Sequence, residues 1–204
     1  AVSTAGDITT TNDAVSLATA VTLTGPVSLA TGAGPGDITF AGPVDGGQAL
    51  TLAAGTGNVL FGDSVGGATP LASVTVASAT DTTFNGAAVQ TTGSLTTTGT
   101  GTTTLNSVGT IGGSETVHAG TLLVNGAQTA TGNIGYTTTG PTTITQALTT
   151  TPGSNGTVTF TNAGLLTLAA AGDISADGAV TQNGAGAVST AGDITTTNDA
   201  VSLA

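Results

Sequence analysis

The sequence predicts an all-β protein, a parallel β-solenoid in which short strands stack in successive coils. Three observations lead to this prediction. Apolar residues alternate with Thr or Ser over three to five positions, turn-forming pairs separate these segments, and the same elements return at a regular spacing. Helix is disfavoured, because the chain has no Lys or Arg, contains a single Glu, and is interrupted by Gly and Thr throughout.

The strands are predicted from the alternating segments. Successive side chains of a strand point to opposite sides, so the two apolar residues of each segment face inward and the hydroxyl faces outward. The segments are Val15-Ser16-Leu17, Val21-Thr22-Leu23, Val27-Ser28-Leu29, Ile38-Thr39-Phe40, Leu50-Thr51-Leu52, Val74-Thr75-Val76, Val158-Thr159-Phe160 and Leu166-Thr167-Leu168. With four Phe, one Tyr and no Trp or Met, the chain suits a narrow interior.

Turns are predicted between these segments, where Gly, Pro and Asn form pairs that favour tight reversals. The pairs include Gly25-Pro26, Gly42-Pro43, Asn85-Gly86, Asn125-Gly126, Gly140-Pro141, Pro152-Gly153 and Asn183-Gly184. A recurring Gly-Asp-Ile marker begins at Gly6, Gly36, Gly172 and Gly192, with a variant at Gly57-Asn58-Val59.

The spacing of the elements predicts the length of a coil. Equivalent positions are taken as the pairs Ile38 and Val59, Val59 and Phe84, Phe84 and Leu105, Leu123 and Ile144, and Ile174 and Ile194, which lie 21, 25, 21, 21 and 20 residues apart. One coil therefore holds about 21 residues. A β-sandwich is the alternative, but the likeness of equivalent positions favours a solenoid, in which each coil stacks on the last.

An identical internal repeat divides the chain. Residues 1–18 and residues 187–204 both read AVSTAGDITTTNDAVSLA, so the offset is 186 residues, or about nine coils. We interpret residues 1–186 as one tandem repeat unit of β-solenoid and residues 187–204 as the start of the next identical unit. The array is expected to continue beyond both.

Charge excludes several classes of partner. The chain has 11 acidic residues, no Lys or Arg and a formal net charge of -11, so it cannot neutralise phosphates, and nucleic-acid binding is not expected. No run of 18 apolar residues is present, and we expect no membrane insertion of this segment. The absence of Cys excludes disulfides and thiolate metal sites.

Four short segments carry a resemblance to a known family. They are PGDITF at residues 35–40, GNVLF at residues 57–61, AAGDIS at residues 170–175 and STAGDITT at residues 189–196. These resemble the degenerate repeats of filamentous-haemagglutinin-type exoproteins and autotransporter passengers, and the resemblance extends over essentially the whole chain as a style of repeat. It implies a right-handed parallel β-helix within a large bacterial protein, secreted or held at the cell surface.

The Gly-Asp-Ile markers supply the only candidate metal ligands. Asp7, Asp37, Asp173 and Asp193 occupy the same place in a recurring turn, and stacking could bring some of them into a row. One interpretation is an Asx-type turn, in which the side chain accepts a backbone hydrogen bond. The other is a weak calcium site, since hard oxygen ligands are all that the chain offers. No other cofactor is expected.

Catalysis is not expected, because the chain lacks a suitable group of side chains. His118 is the only histidine, and Glu115, three residues before it, would lie on the opposite side of a strand. An exposed surface His fits better than a catalytic base or a zinc ligand. A polysaccharide-active enzyme on a β-helix would need basic and aromatic side chains that are missing. Ice binding would need Thr rows in stricter register than this sequence has.

The function that fits these observations is structural. We interpret the chain as a repeat in the shaft of a secreted extracellular fibre or giant surface adhesin, with no catalysis and with further copies of itself as partners, by tandem or end-to-end stacking. The alternative is a calcium-dependent or carbohydrate-binding adhesin module. Exposed aromatic side chains on one face would favour that alternative.

Resistance to trypsin follows from composition. Because trypsin cleaves after Lys or Arg and the chain contains neither, overnight digestion is expected to leave a single intact species in mass spectrometry. Chymotrypsin under denaturing conditions serves as the positive control, because the unfolded chain offers it four Phe and one Tyr. Internal fragments in the trypsin sample would contradict the prediction.

Overall fold

The computed structural model describes residues 1–204 and shows strands and turns with no helix. The strands in chain order are β1 Val2–Thr4, β2 Ile8–Thr9, β3 Val15–Leu17, β4 Val21–Leu23, β5 Val27–Ala30, β6 Ile38–Phe40, β7 Val44–Asp45, β8 Ala49–Ala53, β9 Val59–Phe61, β10 Ser73–Ser78, β11 Thr82–Phe84, β12 Ala88–Thr91, β13 Leu95–Thr98, β14 Thr102–Leu105, β15 Val108–Ile111, β16 Glu115–Ala119, β17 Thr121–Val124, β18 Gln128–Ala130, β19 Ile134–Thr138, β20 Thr142–Ile144, β21 Leu148–Thr150, β22 Val158–Asn162, β23 Leu166–Leu168, β24 Ile174–Ala176, β25 Val180–Gln182, β26 Val188–Thr190, β27 Ile194–Thr196 and β28 Val201–Leu203.

The strands form three parallel faces, which the chain visits in turn. Face A contains β1, β4 and β7, then β12, β15, β18, β21, β24 and β27. Bridges through Val65 and Leu71 join its two parts. Face B contains β2, β5, β8, β10, β13, β16, β19, β22, β25 and β28, and face C contains β3, β6, β9, β11, β14, β17, β20, β23 and β26. The molecule is therefore a parallel β-solenoid of about ten turns, as predicted.

The register between coils confirms the predicted spacing and corrects two of its steps. Paired residues lie from 19 positions apart, as in Val2 with Val21, to 26 apart, as in Leu148 with Ile174. The expected match of Val59 with Phe84 is wrong by two residues, because Phe61 pairs with Phe84. In the same way Val124, not Leu123, pairs with Ile144. The spacing between equivalent residues varies along the sequence because the corners between faces differ in length, and because β10 has a register shift between Val76 and Ser78.

The core is a continuous column of inward-facing side chains. Alternation along each strand places every second residue inside, and 39 buried apolar residues form one cluster along the rod. Phe40, Phe61 and Phe84 stack on face C, with ring centroids 5.1 and 4.7 Å apart and planes nearly parallel. This spacing matches the distance of about 4.8 Å between neighbouring strands. Each side chain therefore packs mainly on the residues directly above and below, where "above" means towards the C-terminus.

Glycine is required at corners where successive coils approach each other closely. Gly55 has a φ of 59°, and a Cβ there would overlap the carbonyl oxygen of Gly32 in the coil below. Gly66 has a φ of 70°, and a Cβ there would overlap the carbonyl oxygen of Gln90 in the coil above. A larger residue at either corner would force two coils apart and break the ladder.

Two inward-facing threonines lack a hydrogen-bond partner. The hydroxyls of Thr82 and Thr97 are buried without a donor or acceptor in reach. Thr97 lies between Val76 below and Val117 above, at a position where an apolar side chain fits the column. An unpaired buried hydroxyl costs free energy, whereas a methyl group in its place does not.

We predict that Thr97→Val stabilises the protein by about 1 kcal/mol, because it removes an unsatisfied polar group without changing the shape of the core. The free energy of unfolding in a denaturant titration measures the effect. Thr96→Val is the matched control, since Thr96 faces outward between Thr75 and Thr116, and its change is expected to be near zero. A destabilised Thr97→Val protein would contradict the inward assignment.

Candidate functional site

The only histidine lies at the surface and away from any acid. His118 is exposed on β16, whereas Glu115 on the same strand is buried, so the two side chains point to opposite sides as expected. Among the Asp, Glu, His and Cys side chains, no group of three or more is close enough to hold a metal ion. His118 thus belongs to no group of three or more such side chains, and its place on the exposed side of β16 is the one expected from the sequence.

The four marker aspartates lie at different corners of the coil. Asp7 is between faces A and B, Asp37 is between faces B and C, and Asp173 and Asp193 are between faces C and A. Only Asp173 and Asp193 are stacked, one coil apart. The expected row thus contains two of the four carboxylates, and calcium binding at these residues stays a prediction.

The marker aspartates make one kind of hydrogen bond at all three corners. Three of the four accept the backbone N–H of the residue stacked above: Ser28 donates to Asp7 at 2.7 Å, Asn58 to Asp37 at 2.7 Å, and Asp193 to Asp173 at 2.9 Å. The Asx-type interpretation is therefore correct in the type of bond and wrong in its partner, which belongs to the next coil. The carboxylates link coils, because each satisfies a backbone donor of the next coil at or near the start of a strand.

One such row runs along a shallow depression. Asp37, Asn58 and Asp81 follow each other between faces B and C, with the Asn58 side chain accepting from the Asp81 N–H at 3.1 Å. Asp81 then accepts from the N–H of Thr102 at 2.6 Å. The depression beside them has a volume of about 310 Å³. One side-chain oxygen each of Asp37, Asn58 and Asp81 is thus engaged in joining coils.

Asparagine side chains form a second row at the corner between faces C and A, just after the strands of face C end. Asn106 donates to Asn85 at 2.7 Å, and Asn125 donates to Asn106 at 2.9 Å. Thr145 extends the row by donating to Asn125 at 3.2 Å. Four successive coils are thus joined by side chains as well as by the backbone, which is the reinforcement expected of a shaft.

A buried carboxyl group lies inside the column. Glu115 is fully buried where the coil below has Leu95 and the coil above has Ile134. The hydroxyl of Tyr136, also buried, donates to Oε1 of Glu115 at 2.9 Å, and Oε2 has no partner. No cation is available to it, since the chain has no Lys or Arg.

Burial decides the protonation of this pair. Desolvation raises the pKa of Glu115 to about 7, and the hydrogen bond from Tyr136 partly opposes that rise. Desolvation, and then the neighbouring Glu115 carboxylate, raises the pKa of the Tyr136 hydroxyl well above its usual value. The neutral form of Glu115 is the one that the fold favours.

Sequence reasoning missed this pair, although the sequence contained the signal. Glu115 alternates with Val117 and Ala119, so it occupies an inward position of β16. Tyr136 lies in the next coil, where it pairs with Val117 while Ile134 pairs with Glu115. From the sequence, Glu115 enters only as a possible partner of His118, and the single Tyr has no assigned place. The strand pattern and the coil length together would have placed both inside.

The two end coils are the uncovered surfaces of the molecule. Val201 and Leu203 on β28 and Val2 on β1 belong to inward positions, yet 46%, 40% and 36% of their surfaces are exposed. The strands β26, β27 and β28 each pair on one side only, with β23, β24 and β25. Unpaired edges and exposed core residues are what a partner of the same fold can cover.

Comparison with known protein families, with curated proteins and with solved structures finds no match for this chain. The class that the fold defines is the parallel β-solenoid, in a form with three faces. The structure contains no helix that is long and apolar enough to cross a membrane. The right hand of the coil stays a prediction.

Stability is predicted to fall as the pH rises from about 4.5 to about 7. The pKa of the Glu115 carboxyl is 4.5 in the unfolded chain and about 7 in the folded protein. Between these values the unfolded state loses the proton and the folded state keeps it, so a rise in pH lowers the free energy of the unfolded state relative to the folded one. The loss is about 3 kcal/mol, complete above pH 7 and absent below pH 4.5. Denaturant titrations across this range measure it, and Glu115→Gln is expected to remove it.

Two further variants test the origin of this pH dependence. Tyr136→Phe removes a hydrogen bond that lowers the pKa of Glu115, so the loss of stability is expected to extend to higher pH. Asp13→Asn removes one exposed negative charge and is expected to keep the slope. If Glu115→Gln kept the slope too, the dependence would belong to another group.

Proposed function

We propose that this chain is a structural repeat forming the shaft of a secreted extracellular fibre or giant surface adhesin, with no catalytic role. The observation that carries the proposal is the parallel ladder that continues from coil to coil on three faces, with the segment of residues 1–18 recurring identically as residues 187–204. In a solenoid each coil packs only on its neighbours, so a repeated unit stacks on the previous one through the same ladders. Further copies of the unit are therefore the expected partners.

The rest of the surface supports a shaft better than a binding module. All five aromatic side chains are buried, so none is available for stacking on a sugar ring. In the depression beside Asp37, one side-chain oxygen each of Asp37, Asn58 and Asp81 already joins two coils. These features favour a shaft, in which mechanical load is carried along the axis by the backbone ladders, the Asp hydrogen bonds and the Asn row.

The extracellular location belongs to the proposal as well. It is supported by the resemblance to exoprotein and passenger repeats and by the lack of trypsin sites. The alternative function, a calcium-dependent or carbohydrate-binding adhesin module, would rest on the carboxylates near the depression. It would be favoured by a thermal shift with millimolar calcium that is absent with magnesium and is lost in Asp37→Asn.

The end-to-end association is testable with the 204-residue chain. Negative-stain electron microscopy of concentrated protein is expected to show thin unbranched filaments. A double variant, Val201→Lys with Leu203→Lys, places two charges on the exposed edge of the last coil and is expected to abolish them. Val108→Lys is the matched control, because Val108 is 52% exposed in the middle of face A and should leave filaments intact.

Sedimentation velocity gives a second measurement of the same association. The parent and Val108→Lys proteins are expected to sediment as growing oligomers when concentrated, and the double variant as a monomer. Discrete monomers of the parent at every concentration would overturn the proposal of end-to-end stacking.

A further inference from the structure

The two identical 18-residue segments lie on different faces of the rod. In residues 1–18 the three strands β1, β2 and β3 lie on faces A, B and C. In residues 187–204 the same three strands, now β26, β27 and β28, lie on faces C, A and B. The second copy is thus displaced around the axis by one face.

The displacement does not change the local conformation of the segment. Asn12 and Asn198 both have a φ of 64°. The Thr4 hydroxyl donates to the carbonyl of Gly6 at 3.2 Å, and the corresponding pair at positions 190 and 192 makes the same bond at 2.8 Å. The bond from the Thr10 hydroxyl to the Asp13 carbonyl also recurs, between positions 196 and 199. The sequence therefore builds the same turns at different corners.

The three corners accept the same turn chemistry throughout the rod. The Gly-Asp-Ile marker occurs at all three, through Asp7, Asp37 and Asp173, and each carboxylate receives the N–H of the residue above it at 2.7 to 2.9 Å. A coil whose corners are interchangeable can be rotated by one face without loss of these bonds.

The number of strand positions in one unit forces this rotation. From β1 up to, but not including, β26 there are 25 strands and one bridged segment at Val65 to Leu71, which makes 26 positions. Divided among three faces, 26 positions give eight and two-thirds turns. A second unit that continues the ladder therefore starts one face earlier than it would after nine complete turns.

Both halves of the junction between two units are visible in the one chain. The first copy of the repeated segment shows what lies above it, since β1, β2 and β3 pair with β4, β5 and β6. The second copy shows what lies below it, since β26, β27 and β28 pair with β23, β24 and β25. Joining the two halves gives an unbroken ladder on every face.

Exposed groups of the last coil match this junction. Val201 and Leu203 correspond to Val15 and Leu17, which pair with Ile38 and Phe40 in the coil above. Asp193 corresponds to Asp7, whose carboxylate receives the N–H of Ser28, and its own carboxylate receives no such bond. Residues equivalent to 19–40 would cover the apolar positions and supply the missing donor.

We infer that the edge of β26, β27 and β28 is the docking surface for the next copy of the unit, and that each copy is turned by one third of a turn relative to the previous one. This inference rests on the proposed shaft function. The axial length of one unit is about 42 Å, and three units, which contain 26 complete coils, restore the orientation after about 125 Å. Any feature present once per unit is then displayed on all three faces in succession.

The position of the second copy is testable in the 204-residue chain, which has no Cys of its own. Thr167 and Ser189 are outward-facing partners on face C, so Thr167→Cys with Ser189→Cys is expected to form a disulfide under mild oxidation. Ser175→Cys with Ser189→Cys is the matched control, and would crosslink only if the second copy restarted on face A above β24. Crosslinking of the control in place of the first pair would overturn the inference.

The rotation itself is testable in a chain of six consecutive 186-residue units. Each unit carries Thr22→Cys, an exposed position on face A of the first unit, labelled with a small gold cluster. Cryo-electron microscopy is expected to show labels about 42 Å apart along the rod, with a change of one third of a turn between neighbours.

The outcomes separate the inference from the proposed function. Straight rods with all labels on one face would overturn the rotation and leave the shaft function standing. Separate particles joined like beads, with no continuous rod between labels, would overturn both. The unlabelled six-unit chain is the control for any effect of the label on stacking.

Discussion

Stacking between coils is the interaction on which the whole structure depends. A single coil is only one strand thick along the rod axis. Its inward side chains cannot be covered within their own layer, so they must pack on the coils above and below. The backbone N–H and C=O groups meet the same requirement, because apart from a few turn bonds they find their partners in the neighbouring coils. The stacked Phe40, Phe61 and Phe84 rings show how closely side chains follow the spacing set by the backbone. Stability therefore accumulates along the axis, coil by coil.

The polar groups are arranged by the same requirement. Asp7, Asp37 and Asp173 each satisfy a donor in the next coil, so charged residues at the surface serve the ladder more than the solvent. Glu115 is the contrasting case, since it occupies an apolar position of the column with Tyr136 as its only partner. A carboxyl group in such a place is tolerated because it can remain neutral. The rod thus has regular hydrogen bonds between coils on its outside and one buried ionisable side chain, Glu115, inside.

Much of the fold could be predicted from short-range patterns, and the errors have a physical reason. Alternation over three residues identified strands such as Ile38–Phe40 and Leu166–Leu168, because inward and outward positions differ in every coil. The match of Val59 with Phe84 failed because corners of unequal length separate the strands, and a spacing alone does not show which residue faces inward. The link between Glu115 and Tyr136 crosses a full coil, so it emerges only once register is known. The partners of the marker aspartates were missed for the same reason.

The unequal corners have a consequence for how such a rod can change over time. Coils of 19 to 26 residues stack in the same ladders, so the length of a corner varies while the strands on either side of it stay paired. Residues added at a corner that bulges away from the neighbouring coils leave the ladders intact, whereas a single residue gained inside a strand would turn its inward face outward. Corners are therefore the places where a lineage can add loops, and with them new binding specificities, to an unchanged scaffold. The same places are open to a protein engineer who wishes to graft a peptide at a chosen height along a rigid rod.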